Sequence, residues 1–225
     1  MKYRALHSWD VKPEEARQLQ NELRTQVIQT DQFGTINTVA GVDIGLKKDT
    51  AIASVVVLSF PELQVVDSVV TQSPVRFPYI PGLLSFREIP PLLTAFAQLQ
   101  TIPDLVIVDG QGIAHPRRFG LASHLGLILD KPTIGCAKSR LWGRYKEPDA
   151  EQGAYTYLTD KAEVIGAAVR TRTNVRVVYV SIGHRISLDS ARTWTLACCQ
   201  GYRLPETTRH AHNAASGKTP RITHT

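Results

Sequence analysis

Two aspartates follow apolar segments that are typical of buried strands. Leu105–Val108 is a run of four aliphatic residues that stops at Asp109, and Val39–Val42 stops at Asp43 in the same way. Two such strands could place the carboxylates side by side, where like charges either share a proton or bind a divalent ion. Oxygen ligands favour Mg²⁺ or Mn²⁺ over zinc. The alternative is that each aspartate caps a turn or helix after its strand.

Basic side chains are densest between residues 117 and 146, and two aromatic residues, Trp142 and Tyr145, lie among them. Cations interleaved with aromatic rings are suited to a phosphate backbone with exposed bases. A solvated basic face without a ligand is the alternative. The basic residues are Arg117, Arg118, Lys138, Arg140, Arg144 and Lys146.

The segment 77–84 is a short loop that two prolines make stiff. Pro78 and Pro81 flank Tyr79 and Ile80, so an aromatic and an aliphatic side chain could be held outward. Rigid apolar side chains of this kind can enter a nucleic acid and separate stacked bases. The alternative is a buried proline corner that packs Tyr79 on the core.

Length and composition favour one globular unit with a polyanionic partner. The chain has 225 residues, a formal net charge of +6 and a pI of about 9.3. Its three cysteines, Cys136, Cys198 and Cys199, have no metal-binding spacing and indicate reduced thiols. No apolar leader follows Met1, and no stretch is long enough to span a membrane. These features predict a soluble, cytoplasmic protein.

Hydrophobic periodicity predicts alternating helices and strands, with a polar tail from about residue 216. Ser85 is the expected N-cap of one helix, whose regular part should begin near Pro90 and Pro91. Spacing alone assigns no role to His210 or His212, and His124 is predicted to be a satisfied packing residue. The expected helices are 13–29, 85–99, 120–129 and 187–199, the last capped by Gly201, and the expected strands are 37–43, 52–60, 63–70, 105–108, 132–137, 155–158, 163–170 and 175–181.

The order of these elements is that of a ribonuclease H-like sheet, and a set of short motifs is distributed along them. The motifs are Val42-Asp43, Pro78–Gly82, Phe86–Glu88, Asp109–Gly112, His115–Arg117, Gly120–His124, Pro132–Lys138, Leu204–Glu206 and Thr208-Arg209. In these motifs the chain resembles the endonuclease V family over nearly its whole length, although Gln111, Ser139 and Thr207 depart from the commoner family pattern. The fold class implied is α/β, with a mixed sheet of about five or more strands flanked by helices in a single domain spanning residues 1–225.

The resemblance implies a role for particular positions. Asp43, Glu88 and Asp109 would hold Mg²⁺, with Lys138 near the scissile phosphate and His212 near the attacking or leaving oxygen. Position 212 varies between His and Asp in the family. The remaining implied residues are the wedge Pro78, Tyr79, Ile80 and Pro81, the base pocket Gly82, Leu84, Gly110, Gly112 and Gly135, and the phosphate-binding His115, Arg117 and Arg118.

The function implied is Mg²⁺-dependent DNA repair, with Mn²⁺ as a substitute. The family extrudes the base of deoxyinosine and hydrolyses the second phosphodiester bond on its 3′ side. Backbone amides of Gly110 and Gly112 are expected to read the 6-oxo group of hypoxanthine. The expected partner is DNA containing deoxyinosine, bound by a monomer, and inosine-containing RNA stays open as a substrate. Two alternatives are a ribonuclease H-like nuclease of other specificity and a non-catalytic inosine-binding module.

Overall fold

The computed structural model describes residues 1–218 and 222, which form one eight-stranded mixed sheet with five α-helices on its two faces. The helices are α1 (Pro13–Leu23), α2 (Leu84–Gln98), α3 (Leu121–Leu129), α4 (Leu188–Ala197) and α5 (Glu206–Ala215). The strands are β1 (Thr38–Lys47), β2 (Thr50–Ser59), β3 (Val65–Pro74), β4 (Leu105–Val108), β5 (Thr133–Ala137), β6 (Tyr155–Asp160), β7 (Glu163–Val169) and β8 (Val178–His184).

The centre of the sheet is parallel and both sides of it are antiparallel. The spatial order is β3-β2-β1-β4-β5-β8-β7-β6, with β1, β4 and β5 parallel. Val42 of β1 pairs with Val108 of β4, so Asp43 and Asp109 are the next residues on neighbouring strands. The side-by-side placement expected from the two apolar segments is confirmed.

Both faces of the sheet are covered, which explains why its strands alternate poorly between apolar and polar residues. Val39 and Leu105 face a core that includes Ala211 of α5. Their chain neighbours Ala40 and Val106 face the opposite core, which α2 and α3 complete. Because adjacent residues point to opposite faces, a two-sided core needs continuous apolar runs.

The helix predicted at 85–99 begins earlier and runs straight through its prolines. It starts at Leu84 after an N-cap at Leu83, and Pro90 and Pro91 lie inside it. The two predictions made for its start are therefore wrong. Burial of Ile89 and of the side chains after the prolines against the sheet outweighs the lost helical hydrogen bonds.

Ser85 has a packing role instead of a capping role. Its hydroxyl lies 3.0 Å from Nδ1 of His124, and Nε2 of His124 lies 2.8 Å from Nε2 of His7. His124 is fully buried, and burial lowers its pKa well below the usual value, so the ring is neutral. The prediction that His124 is a satisfied packing residue is confirmed.

Other boundaries also differ from those expected. The first helix ends at Leu23 and continues only as a 3₁₀ turn to Gln26, and the C-cap of α4 is Cys198 instead of Gly201. Helix α5 was not predicted at all. The predicted polar tail falls mostly on residues 219–221 and 223–225, which lie outside the described residues. Among the described residues, no helix is long and apolar enough to cross a membrane.

Candidate active site

Three carboxylates wall one small cavity at the end of the parallel strands. Asp43 lies in β1, Asp109 directly follows β4, and Glu88 comes from the first turns of α2. Helix α2 is fixed against the sheet by Ile89 and Leu92, which are both fully buried. The cavity between the three acids has a volume of about 50 Å³.

The acids perturb one another because they are close and partly desolvated. Burial first, and then repulsion from Asp43 and Asp109, raises the pKa of Glu88 to about 8. Burial and repulsion from Asp109 also raise the pKa of Asp43. A cluster of carboxylates that disfavours its own charge is the electrostatic environment that a cation relieves.

Each aspartate has a basic partner. The ammonium of Lys138, which follows β5, forms an ion pair with Asp109. Nδ1 of His212 lies 3.2 Å from Oδ2 of Asp43. His212 reaches this position because α5 packs across β1, where a Cβ on Gly41 would lie 2.0 Å from the carbonyl oxygen of Thr207. Only glycine allows that approach of helix to strand.

The three carboxylates are of the type that binds a hard divalent ion, although they are not yet close enough to bind one together. Within residues 1–218 and 222, no three His, Cys, Asp or Glu side chains already lie together as a metal-binding group. Asp43, Glu88 and Asp109 nevertheless share one cavity and offer only oxygen ligands, which Mg²⁺ and Mn²⁺ prefer. Binding would require deprotonation of Glu88, and the ion would compete with Lys138 for the charge of Asp109.

Glu88→Gln should make the metal-free protein more stable than the parent at pH 8. A carboxyl whose pKa is raised from 4.5 to about 8 favours folding below pH 4.5, and this contribution is lost as the pH rises towards 8. Glutamine stays neutral, so we expect a free energy of unfolding roughly 4 kcal/mol above the parent at pH 8 and little difference at pH 4.5. Urea unfolding in EDTA between pH 4.5 and 8 measures this.

Glu62→Gln is the matched control, because Glu62 is exposed on the turn between β2 and β3. Its unfolding curve should follow the parent at every pH. A Glu88→Gln curve that also runs parallel to the parent would show that the pKa of Glu88 is the same in the folded and unfolded protein.

The loop of residues 78–82, which we call the wedge loop, contains a tight turn and exposes its aromatic side chain to solvent. The N–H of Leu83 donates to the carbonyl of Ile80 (2.9 Å), with Pro81 and Gly82 as the central residues. Gly82 has φ +79°, the backbone that a type II Pro-Gly turn requires. Tyr79 is 69% exposed, which excludes the alternative of a corner packed on the core.

Three side chains converge on one carbonyl at the base of this loop. The carbonyl of Gly82 accepts hydrogen bonds from Gln20 Nε2 (3.0 Å), His115 Nε2 (3.0 Å) and Arg117 Nη2 (2.8 Å). Burial, reinforced by Arg117, lowers the pKa of His115 to about 4, so the ring is a neutral donor. We call this arrangement the Gly82 clamp. It fixes the wedge loop to α1 and to the loop after β4.

The three side chains predicted to bind phosphate all have protein partners. His115 and Arg117 belong to the Gly82 clamp, and Arg118 forms ion pairs with Asp160 (2.7 Å) and Glu163 (2.8 Å). Phosphate binding by these residues stays a prediction. Their contacts in the structure are those of residues that position loops.

Gln20 is a functional candidate that sequence reasoning missed. Helix α1 was interpreted as a packing helix, but its buried residues Ala16, Gln20 and Leu23 put an amide in the middle of the apolar stripe. Besides Gly82, the Gln20 amide donates to the Phe119 carbonyl (3.0 Å) and accepts from Arg117. A buried glutamine at core spacing was the available signal.

Gln20→Leu should destabilise the protein by about 1–3 kcal/mol, because it leaves buried polar partners of the clamp unsatisfied. Gln18→Leu on the exposed face of α1 should shift stability by less than about 0.5 kcal/mol. Equal unfolding midpoints for the two variants would remove Gln20 from the clamp.

A larger cavity of about 350 Å³ opens beside the carboxylates, with Asp109 in both walls. Gly82, Leu84 and Gly110, three of the residues predicted to form a base pocket, line it, and Ile80, Gln111 and Lys138 add to the wall. We call it the base cavity.

Gly112 and Gly135 do not line the base cavity, which corrects the prediction for both. A Cβ on Gly112 would meet the Ile182 carbonyl, and one on Gly135 would meet the Gly112 nitrogen, so both glycines serve backbone packing. The N–H of Gly112 donates to Ser181 Oγ (2.9 Å), and that of Gly110 donates to the Val108 carbonyl (2.8 Å). The expectation that both amides are open to a base is wrong, because each already has an acceptor.

Comparison with known proteins agrees with this geometry. Residues 21–213 match the family model for endonuclease V. The chain belongs to the endonuclease V family. An endonuclease V from Roseiflexus sp. is 54% identical over 214 residues, covering 95% of this chain and 96% of that protein. The family assignment made from sequence motifs is confirmed. Membership of this family means that the chain is a nuclease, a hydrolase that acts on nucleic acid.

Solved structures of the family share the fold. The endonuclease V of Streptomyces avermitilis superposes with a TM-score of 0.89 at 43% identity, covering 96% of this chain and 97% of that one. An endonuclease V of Ciona intestinalis, in complex with a 23mer DNA containing an inosine followed by a ribo-adenosine, superposes with a TM-score of 0.80 at 29% identity, covering 92% and 98%. The predicted ribonuclease H-like fold is confirmed.

Proposed function

We propose that this protein nicks DNA at deoxyinosine by extruding the damaged nucleotide and hydrolysing the second phosphodiester bond on its 3′ side. The observation that carries the proposal is the position of Asp109, which walls both the carboxylate cavity and the base cavity. A base held in one cavity therefore places its own strand beside the other.

The base cavity and Tyr79 suit base extrusion. An extruded base needs a pocket, and the gap it leaves in the duplex is filled by an apolar side chain. Tyr79 is exposed at the tip of a rigid loop whose other end, Gly82 and Leu84, forms the wall of the base cavity. Extrusion costs a few kcal/mol, and the cost is lower for hypoxanthine because it pairs poorly.

We propose Asp43, Glu88 and Asp109 as the ligands of Mg²⁺, for which Mn²⁺ would substitute. When bound, such an ion lowers the pKa of water and offsets charge on a phosphate oxygen. Lys138 would then be free to contact the scissile phosphate. His212, with 58% of its side chain exposed next to Asp43, would exchange a proton with the attacking or leaving oxygen.

One assay tests this function. An end-labelled duplex with a single deoxyinosine is incubated with the protein, with and without Mg²⁺, beside the matched adenine duplex. We expect one metal-dependent nick on the lesion strand, one nucleotide beyond the lesion on its 3′ side, and no nick at adenine. Cleavage at adenine, or at a different bond, would contradict the proposal. A ribo-inosine strand in the same assay measures the RNA activity.

A further inference from the structure

A second cavity of about 640 Å³ lies next to the base cavity and shares Lys138, Ser139 and Arg140 with it. It is bounded by the loop after β5 and by loop 170–177, which joins β7 to β8. We call it the arginine groove. Its lining includes five cationic residues and one acidic residue, a formal balance of five minus one, or +4.

Two of the five cations are structural. Arg170 is only 8% exposed and bonds to the carbonyls of Asp149 and Pro148 and to Glu147. Arg203 donates to the carbonyls of Arg176 (2.9 Å), Lys138 (2.7 Å) and Val177 (2.7 Å). These two arginines hold the walls together. Arg170 is neutralised by Glu147, whereas Arg203 bonds only to carbonyl oxygens and keeps its positive charge.

Two other cations are available for a ligand. Arg140 and Arg176 are exposed, and among the described residues their guanidinium groups form no hydrogen bond or ion pair. This separates them from Arg117 and Arg118, whose guanidinium groups have protein partners. Uncommitted guanidinium groups that face one groove are suited to the planar, bidentate recognition of phosphate.

The floor between them is aromatic. The rings of Tyr145 and Tyr179 meet edge to face with centroids 5.5 Å apart, and their hydroxyls lie 3.0 Å from each other. This hydrogen bond raises the pKa of Tyr145 to about 12, so its hydroxyl stays neutral. The guanidinium of Arg140 lies over the Tyr145 ring at 5.7 Å. Aromatic rings beside cations are typical of grooves that follow a nucleic-acid strand.

We propose that the arginine groove binds the phosphodiester backbone of a strand flanking the lesion, through Arg140 and Arg176. This inference rests on the proposed function, since Lys138 joins the groove to the base cavity and to Asp109. The groove would set affinity and its salt dependence without reading the base. The chemistry of cleavage is left to the carboxylates.

The test compares Arg140→Gln, Arg176→Gln and the double variant with the parent on deoxyinosine duplexes in EDTA. Arg172→Gln is the matched control, because Arg172 is exposed on loop 170–177 but lies outside the groove. Each groove variant should lower the slope of log affinity against log salt by about one, and the double variant should bind about tenfold more weakly at low salt. Arg172→Gln should bind like the parent.

Two truncated duplexes identify the bound strand, one ending near the lesion on the 3′ side and one on the 5′ side. The loss of affinity in the double variant should disappear on one of these duplexes. The segment missing from that duplex is the one that binds in the groove. An effect that survives both truncations, or parental affinity on the long duplex, would overturn the inference. Parent protein that fails to nick the inosine strand with Mg²⁺ would instead remove the proposed function.

Discussion

Asp109→Asn should reduce nicking of an inosine duplex in Mg²⁺ by at least about 1,000-fold, which corresponds to roughly 4 kcal/mol of barrier. The change keeps the size of the side chain and removes the charge that Asp109 contributes to the cavity of three acids. Lesion binding should be retained, because removing a negative charge from this surface does not weaken its attraction for a polyanion. Single-turnover nicking and fluorescence anisotropy measure the two quantities.

Asp49→Asn is the control for this experiment. Asp49 is exposed in the turn after β1, six residues beyond Asp43. Its substitution should leave the nicking rate and the affinity for the lesion unchanged. Nicking by Asp109→Asn at a rate near that of the parent would take Asp109 out of the active site. Binding without nicking by the parent itself would favour the alternative of a non-catalytic inosine-binding module.

Tyr79→Ala should slow cleavage of inosine duplexes by about tenfold or more and slow cleavage of single strands by less than about threefold. The ring is exposed at the loop tip and is expected to fill the space that the extruded base leaves in a duplex. A single strand has no such gap, so it loses little. Rates on the two substrates at saturating enzyme give the ratio directly.

Tyr79→Phe keeps the ring and should cleave duplexes nearly as the parent does, while Tyr3→Ala removes an exposed tyrosine elsewhere and should have no effect. Equal losses on duplex and single strand in Tyr79→Ala would argue that the residue shapes the site in another way. That outcome would also favour a ribonuclease H-like nuclease of different specificity.

The proximity of Asp43 and Asp109 could be predicted because it follows from residue patterns within two short segments. Four consecutive aliphatic residues between turn formers are strand-like in any context, and an acid at the end of each such strand is visible in the sequence. Parallel pairing then places the residues after Val42 and Val108 together. Glu88 was identified through the family resemblance instead, since a glutamate at the start of a helix carries little information by itself.

Helix α5 shows where local rules fail. Its buried positions include Thr207, Thr208, Ala211 and Ala214, which are small or polar, so the helix has none of the large apolar residues that mark a core-facing helix in a sequence. The helix is defined by close approach to β1 at Gly41. His212 therefore looked like a residue next to a tail, and its contact with Asp43 depends on tertiary packing.

The basic residues illustrate the same limit. Charge density along the chain highlighted Arg117 and Arg118, which the fold uses to hold loops, and did not include Arg176. Whether a guanidinium is free depends on which carbonyls and carboxylates lie within reach. Most of those partners are distant in sequence.

The sequence alone determined the family, the two-sided sheet and the neighbouring carboxylates Asp43 and Asp109, because apolar runs and short motifs are local properties. The strand predicted at 37–43 was too short, since β1 continues past Asp43 to Lys47 in pairing with β2. Tertiary structure decided which polar groups remain available. It placed His212 beside Asp43 and gave the amides of Gly110 and Gly112 hydrogen-bond acceptors within the protein. It left the guanidinium groups of Arg140 and Arg176 without a hydrogen-bond or ion-pair partner among the described residues. The physical reason is that a hydrogen bond or ion pair requires two groups in contact, and only the folded chain brings distant partners together.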